Sequence, residues 1–292
     1  MKRGKSYIFV ILAAALWGTI GLFVRTLTAA GFTEAQLIAF RCWVSAAIML
    51  VWLGLRDRAA LKIRLRDSWM FVGTGIVSFV LFSICYFSAL QMVSLSTAAI
   101  LLYTSPIFVA LLSTWLFHER FTIRTAIALC MAFGGGALVS GFDGSASGMG
   151  IVMGILAGFF YALYSIFGKY ALRRYSSLTV TTYTFVFAII GITPFCDLPA
   201  LAQVEWSAPI ALILVIFSAA SGAAAYLLYT KGLSGLPATD AAIAAIMEPV
   251  VASLTGLLVF HETIALQGFV GIALVLGAVL VLNLPARTGR SA

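Results

Sequence analysis

The fifty residues from Ser68 to Phe117, SWMFVGTGIVSFVLFSICYFSALQMVSLSTAAILLYTSPIFVALLSTWLF, contain no charged side chain. A helix that crosses a bilayer needs about 20 mostly apolar residues, so this run is too long for one span and suits two. The polar cluster Gln91–Ser96 divides it. The apolar residues are continuous, which argues against a membrane β-barrel, whose strands alternate lipid-facing and lumen-facing side chains. Outward from this stretch the same reading repeats. Charges mark the breaks at Arg56–Asp67, His118–Arg124, Asp143, Lys169–Arg174, Asp197–Glu205, Lys231 and His261–Glu262. Ten spans result, at 6–24, 35–55, 69–90, 96–117, 122–141, 148–168, 177–196, 207–229, 238–260 and 264–284.

Composition agrees. Only 10% of the residues are charged and 62% are apolar, and the mean hydropathy is +1.09. A water-soluble chain of this length needs a charged coat that is missing here, so lipid is the solvent for most of it. The predicted class is an all-α membrane protein of ten transmembrane helices, with no soluble domain. Lys2, Arg3 and Lys5 ahead of an apolar run containing Ala13-Ala14-Ala15 imitate a signal peptide. The run continues undiluted to Val24, so it is taken as a retained first span. Cys42, Cys85, Cys130 and Cys196 form no CxxC pair and read as small packing residues. His118 and His261 are interfacial and far apart in topology. No metal site and no cofactor are expected.

The formal charge of +8 is a topology signal rather than a nucleic-acid signal. When the connections are assigned alternately to two sides, sixteen of the eighteen Lys and Arg fall on one side. Arg25 alone falls on the other, and Arg41 lies inside the second span. Cytoplasmic loops collect Lys and Arg, which places both termini in the cytoplasm and Asp143 and Glu205 outside. Contact between the basic loops and anionic lipid headgroups is compatible with this reading.

The second half of the chain repeats the first. At a shift of 143 positions Tyr86 meets Tyr229, Leu90 meets Leu233, and Ala98-Ala99-Ile100 meets Ala241-Ala242-Ile243. Pro106 meets Pro249, Phe117-His118-Glu119 meets Phe260-His261-Glu262, and Gly134 meets Gly277. At a shift of 144 Trp17 falls on Tyr161 and Arg25 on Lys169. The halves are residues 1–143 and 144–292, five helices each. An odd number of spans inserts the second half upside down, and inverted repeats allow one half to rock against the other around a site near the midplane.

These elements resemble the ten-helix EamA-type branch of the drug/metabolite transporter superfamily. The resemblance rests on Leu16-Trp17-Gly18, Tyr103–Pro106, Glu119, Glu248-Pro249-Val250 and Glu262, and covers nearly the whole chain. It implies outward movement of amino acids, other metabolites or drugs across the inner membrane. One branch, which exports aromatic amino acids, carries Trp where this chain has Ser105 and Tyr161.

The candidate site residues follow from chemistry at membrane depth. Glu248 falls near the bilayer centre, where a carboxylate is costly and marks function by default. Ala241, Ala245 and Ala252 share its face and leave room beside it. Three roles are open to it: a proton carrier, since a carboxyl group out of water is cheapest when neutral; a partner for a substrate amine; or a structural acid satisfied by the backbone. Pro106 and Pro249 lie near midspan in equivalent helices. Each removes an N–H and frees the carbonyl four residues earlier, giving a hinge or helix break. Trp17, Phe79, Phe82, Tyr86, Tyr103, Tyr161 and Tyr164 align on single helix faces and are assigned to a substrate pocket, which suits apolar, aromatic or cationic solutes. Lipid contact is the alternative for aromatic residues. Arg41 can bind a substrate carboxylate by two parallel hydrogen bonds or snorkel outward. Glu119 and Glu262 are expected to cap helix N-termini.

The function expected is a secondary transporter acting by alternating access, exporting small metabolites such as aromatic or apolar amino acids, with a proton gradient as one possible driving force. A drug or toxic-cation efflux pump of the same fold is the alternative. A membrane-embedded enzyme is disfavoured, because no nucleophile–base pair, metal cluster or HExxH-like motif is present. The partners expected are a small solute and the bilayer, without nucleic acid, and the unit is expected to work as a monomer.

Overall fold

The computed structural model describes residues 3–141 and 147–283. Lys2, Asp143, Arg287 and Arg290 of the topology argument lie outside the described residues. Within them every regular element is helical. Nine helices are long and apolar enough to cross a membrane: α1 Arg3–Ala29, α2 Glu34–Arg56, α3 Leu65–Leu90, α4 Leu95–Phe117, α5 Ile123–Ser140, α6 Gly148–Leu172, α7 Ser177–Phe195, α8 Ala208–Leu233 and α9 Ala238–Phe260. A tenth, shorter apolar helix, α10, runs over Leu266–Asn283. The ten-helix reading therefore holds, with two shifts in the loops. Lys169 and Lys231 belong to the last turns of α6 and α8.

Local chemistry sets the ends. A hydroxyl residue precedes six of the helices and accepts the N–H three residues on: Thr33, Ser94, Thr122, Ser147, Ser176 and Ser207. Each satisfies one of the free donors of a helix start. The opposite ends of α4 and α9 share a different device. His118 and His261 adopt left-handed backbone conformations, with φ/ψ of 54/34° and 53/31°. The N–H of the following glutamate then returns to Ser113 O at 3.3 Å and to Gly256 O at 3.1 Å. The repeated Phe-His-Glu tripeptide is thus, first, a helix stop.

Three spans are interrupted at midmembrane. α1 breaks at Thr19 between Arg3–Gly18 and Ile20–Ala29. α4 breaks at Tyr103–Thr104, and α9 breaks at Ile246. Pro106 and Pro249 lie in the first turns of the second halves, Ser105–Phe117 and Met247–Phe260. In a first turn the missing N–H of proline leaves no bond unmade. α3 and α8 change differently: Gly73–Val80 and Ser218–Ala224 widen into π-helix. These two segments correspond at the same shift of 143.

The packing obeys the repeat. α1 runs along α8 as α6 runs along α3, and α4 meets α6 as α9 meets α1. α2 pairs with α7, α5 with α10, and α4 with α9. Exchanging each helix for the one five places away leaves this pattern unchanged, as a two-fold axis through the bundle requires. One core, built mainly on α1, α6, α8 and α9, fills the centre, including Val10, Ala13, Leu233, Ile243 and Ala244.

Candidate functional site

The breaks bring the sequence-predicted residues together between the two halves. Gly18 ends the first part of α1 against the break of α9: a β-carbon there would stand 2.7 Å from Glu248 O and 2.6 Å from Val251 Cβ. Gly158 does the same for α6 and α4, since its β-carbon would meet Thr104 Oγ1 at 2.6 Å and Leu101 O at 3.0 Å. Only bare backbone allows these approaches.

Trp17, next to Gly18, is anchored by donating its indole N–H to Ser221 O at 3.1 Å, in the π-helical part of α8. Its ring packs on Tyr226, Tyr229 and Tyr161 at centroid distances of 5.2, 5.5 and 6.4 Å. Phe82 continues the wall at 5.2 Å from Tyr161 and 5.7 Å from Tyr86. Phe79 and Tyr164 reach Tyr226 at 5.6 and 5.1 Å. Trp17, Phe79 and Tyr164 are themselves buried, whereas Phe82, Tyr86, Tyr103, Tyr161, Arg41 and Glu248 keep part of their surface open. Trp17, Phe79, Phe82, Tyr161, Tyr164, Tyr226 and Tyr229 line a small recess, and Tyr86, Tyr103, Arg41 and Glu248 are not part of its lining.

Two ionisable residues near these rings, Arg41 and Glu248, have no hydrogen-bonded side-chain partner among the described residues. Glu248 makes no hydrogen bond or ion pair with the described residues; its electrostatic neighbours are Arg41, Tyr86, Tyr103 and Tyr161. The guanidinium of Arg41 lies 5.2 Å from the Phe79 ring centroid and 5.6 Å from that of Tyr226. Its Nε is buried without a hydrogen-bond partner. Aromatic faces stabilise the cation but leave its donors free. The arrangement can therefore offer a solute one carboxylate, one guanidinium and several ring faces. Among the described residues, no group of three His, Cys, Asp or Glu side chains could hold a metal ion.

Sequence reasoning missed the chemistry at one end of the bundle. At the end that carries the basic loops, Asp240 accepts from Tyr7 Oη at 2.8 Å and Arg3 Nη2 at 2.7 Å. Lys169 donates to Leu236 O, and Ser113 Oγ lies 2.8 Å from Thr239 Oγ1. Glu119 accepts from the N–H of Ala238 at 2.8 Å, and from the N–H and hydroxyl of Thr239 at 3.4 and 3.3 Å. It caps a helix, as expected, but that helix is α9 of the other half; its own successor α5 is capped by Thr122. Glu262 caps none and pairs with Arg25 at 2.6 Å. Asp240, a carboxylate three residues into a predicted span, was the signal available for this cluster. The start of α9 is consequently covered: every residue of Ala238–Ala245 is buried. At the opposite, far end the equivalent residue of α4, Leu95, is 68% exposed.

A polytopic helical fold with a twofold packing pattern, broken helices and a central aromatic space defines a membrane transporter architecture. The family model described as the EamA-like transporter family matches residues 4–141 and again 148–284. This chain belongs to the EamA-like transporter family and is a multi-pass membrane transporter. A protein of Archaeoglobus fulgidus named as an uncharacterized transporter is 27% identical over 282 residues, covering 96% of each chain. The Bacillus subtilis uncharacterized transporter YwfM is 25% identical over 305 residues, covering 100% of this chain and 98% of its own. A crystal structure that is 17% identical superposes with a TM-score of 0.80 over 95% of this chain and 97% of that one.

Proposed function

We propose that this protein is a secondary transporter of the cytoplasmic membrane that exports small metabolites, aromatic or apolar amino acids foremost, by alternating access between halves 1–143 and 144–292. The observation that carries the reading is the pair Arg41 and Glu248, one cation and one anion, both unbonded to described protein groups at the edge of an aromatic recess. An amino acid presents the complementary pair, a carboxylate and an amine, on a side chain that suits ring faces. Trp17, Phe82, Tyr86, Tyr103 and Tyr161 would contact the solute, with Phe79 and Tyr164 as the supporting floor. The breaks before Pro106 and Pro249 would act as hinges. A monomer contains the whole site. The charge distribution supports cytoplasmic termini, which makes the basic end the cytoplasmic one.

Efflux of an organic cation is the second reading, favoured by a carboxylate beside aromatic faces and opposed by Arg41. Counterflow of radiolabelled solutes into proteoliposomes separates the two. The first reading expects exchange of amino acids and its loss in Arg41→Gln; the second expects exchange of cations, strengthened in that variant. Exchange of neither class rejects both. Orientation is checked with a membrane-impermeant thiol reagent on cells. Cysteine at Glu205 should label from outside, and cysteine at Arg58 only after permeabilisation.

A further inference from the structure

We propose that Glu262 and Arg25, paired with each other in this conformer, form a second latch when they exchange onto the start of α4, sealing the far end when the basic end opens. The proposal rests on the transporter reading above. It starts from the latch that is made. Glu119 holds the first N–H groups of α9 through Ala238 and Thr239, and Lys169 holds the Leu236 carbonyl just before them. At the shift of 143 the counterparts are Glu262, Leu95, Ser96 and Val93; at 144 the counterpart of Lys169 is Arg25. Each position keeps its chemistry. Glu262 supplies a carboxylate, Leu95 and Ser96 supply backbone N–H groups, Ser96 replaces the Thr239 hydroxyl, and Arg25 replaces one cation with another.

The geometry is prepared as well. Glu262 leaves α9 through the same left-handed histidine cap by which Glu119 leaves α4, so the two carboxylates are presented alike by their own helices. At α4, Ser94 Oγ takes the Thr97 N–H. The N–H groups of Leu95 and Ser96 have no acceptor among the described residues. Helix N-terminal donors favour a carboxylate by both hydrogen bonding and dipole. Meanwhile Glu262 is held by Arg25 with side chains 50% and 56% exposed. Such a surface pair contributes little and is readily exchanged for a partly buried partner.

The two latches are not equal. Asp240, Tyr7 and Arg3 strengthen the basic end, and their counterparts are Thr97, Ile151 and Ser147, which cannot form an ion pair. The asymmetry accounts for the conformer observed, with the start of α9 covered at the basic end.

The test uses the full chain in nanodiscs, with the four native cysteines replaced and Leu95→Cys added. A maleimide reads exposure of position 95. Weakening the made latch with Glu119→Gln should slow labelling about tenfold, as closure covers α4. Adding Glu262→Gln should restore it to within about twofold of the parent. No change with Glu119→Gln, or no restoration with Glu262→Gln, overturns the proposal. A second measurement does not depend on these variants folding equally well. Oxidation should capture Ser96→Cys with Glu262→Cys, as it captures Thr239→Cys with Glu119→Cys; capture of the second pair alone overturns the proposal. Neither measurement uses a solute, so they report the latch even where counterflow rejects amino acids.

Discussion

Replacing Asp240 with alanine should loosen the basic end, and the size of the effect follows from its contacts. Asp240 is 5% exposed and Tyr7 2% exposed, so their 2.8 Å hydrogen bond is shielded from water. A hydrogen bond with one charged partner contributes about 1.5–3 kcal/mol, including the cost of leaving the hydroxyl without an acceptor. The ion pair with Arg3 adds little, because the Arg3 side chain is 57% exposed. A carboxylate in the first turn of α9 adds about 0.5 kcal/mol through the helix dipole. The sum is about 2–3.5 kcal/mol, a shift of roughly 30-fold or more in the balance between shut and open. Labelling of Leu236→Cys, a position now 2% exposed, measures that balance directly. Melting followed by tryptophan fluorescence measures the lost stability. Asp240→Asn keeps an acceptor for Tyr7 and loses mainly the charge, so it should fall well short of alanine, and Tyr7→Phe should lie between parent and alanine. Equal effects of asparagine and alanine would refute the assignment of the energy to the tyrosine bond. Unchanged labelling in alanine would refute the latch itself.

Three other outcomes are expected. Glu248→Gln should keep solute exchange but lose accumulation driven by a pH gradient if Glu248 carries the coupling proton; exchange weakened at every pH would assign it to the substrate amine instead, and parental behaviour in both assays would leave it neither role. Gly18→Ala places a β-carbon 2.6 Å from Val251 Cβ and 2.7 Å from a backbone oxygen, neither of which yields easily, so it should cost about 1–3 kcal/mol and lower the melting temperature. The Cys196 thiol, raised above its ordinary pKa by burial and then by Asp197, should react with maleimide more slowly than a free thiol at neutral pH, with its half-maximal rate displaced upward in a pH series; a rate equal to that of a free thiol at every pH contradicts this.

The number of helices, their approximate limits and the repeat were legible because lipid imposes a simple rule on every span. Continuous apolar runs and punctuating charges express that rule directly. Trp17, Phe82 and Tyr161 stood out by type at membrane depth and line one recess, whereas Tyr86, Tyr103 and Glu248 are not in its lining. The contacts at the helix ends were not legible. Glu119 read as a cap for the helix that follows it in sequence, but Thr122 had already taken that role, and the carboxylate was free to reach α9 in the other half. Nothing local to Glu119 distinguishes the two outcomes. The prolines read as hinges or helix breaks, and α4 and α9 do restart beside them; what differs is that each proline falls in a first turn, which accommodates it at no cost.

The symmetry of the frame and the asymmetry of the site have different physical origins. Frame residues must satisfy the same geometry twice: small residues where helices cross, the hydroxyl caps Thr33 and Ser176, and a left-handed histidine where α4 and α9 stop. These recur at a fixed shift because packing is the same problem in both halves. A solute on the axis meets both halves at once, and a solute with two different ends cannot be bound by two identical half-sites. Glu248 accordingly has Ser105 as its counterpart, and Trp17 has Tyr161. Departures from the repeat occur both beside the aromatic recess, as at Trp17 and Glu248, and at the basic end, as at Asp240 and Tyr7, while Tyr86 and Tyr229 agree across it. Glu119 and Glu262 agree in sequence yet differ in their contacts. On the latch proposed above, identical residues in unlike contacts are the part of the frame that changes between two states, as alternating access would require of the gates and not of the binding site.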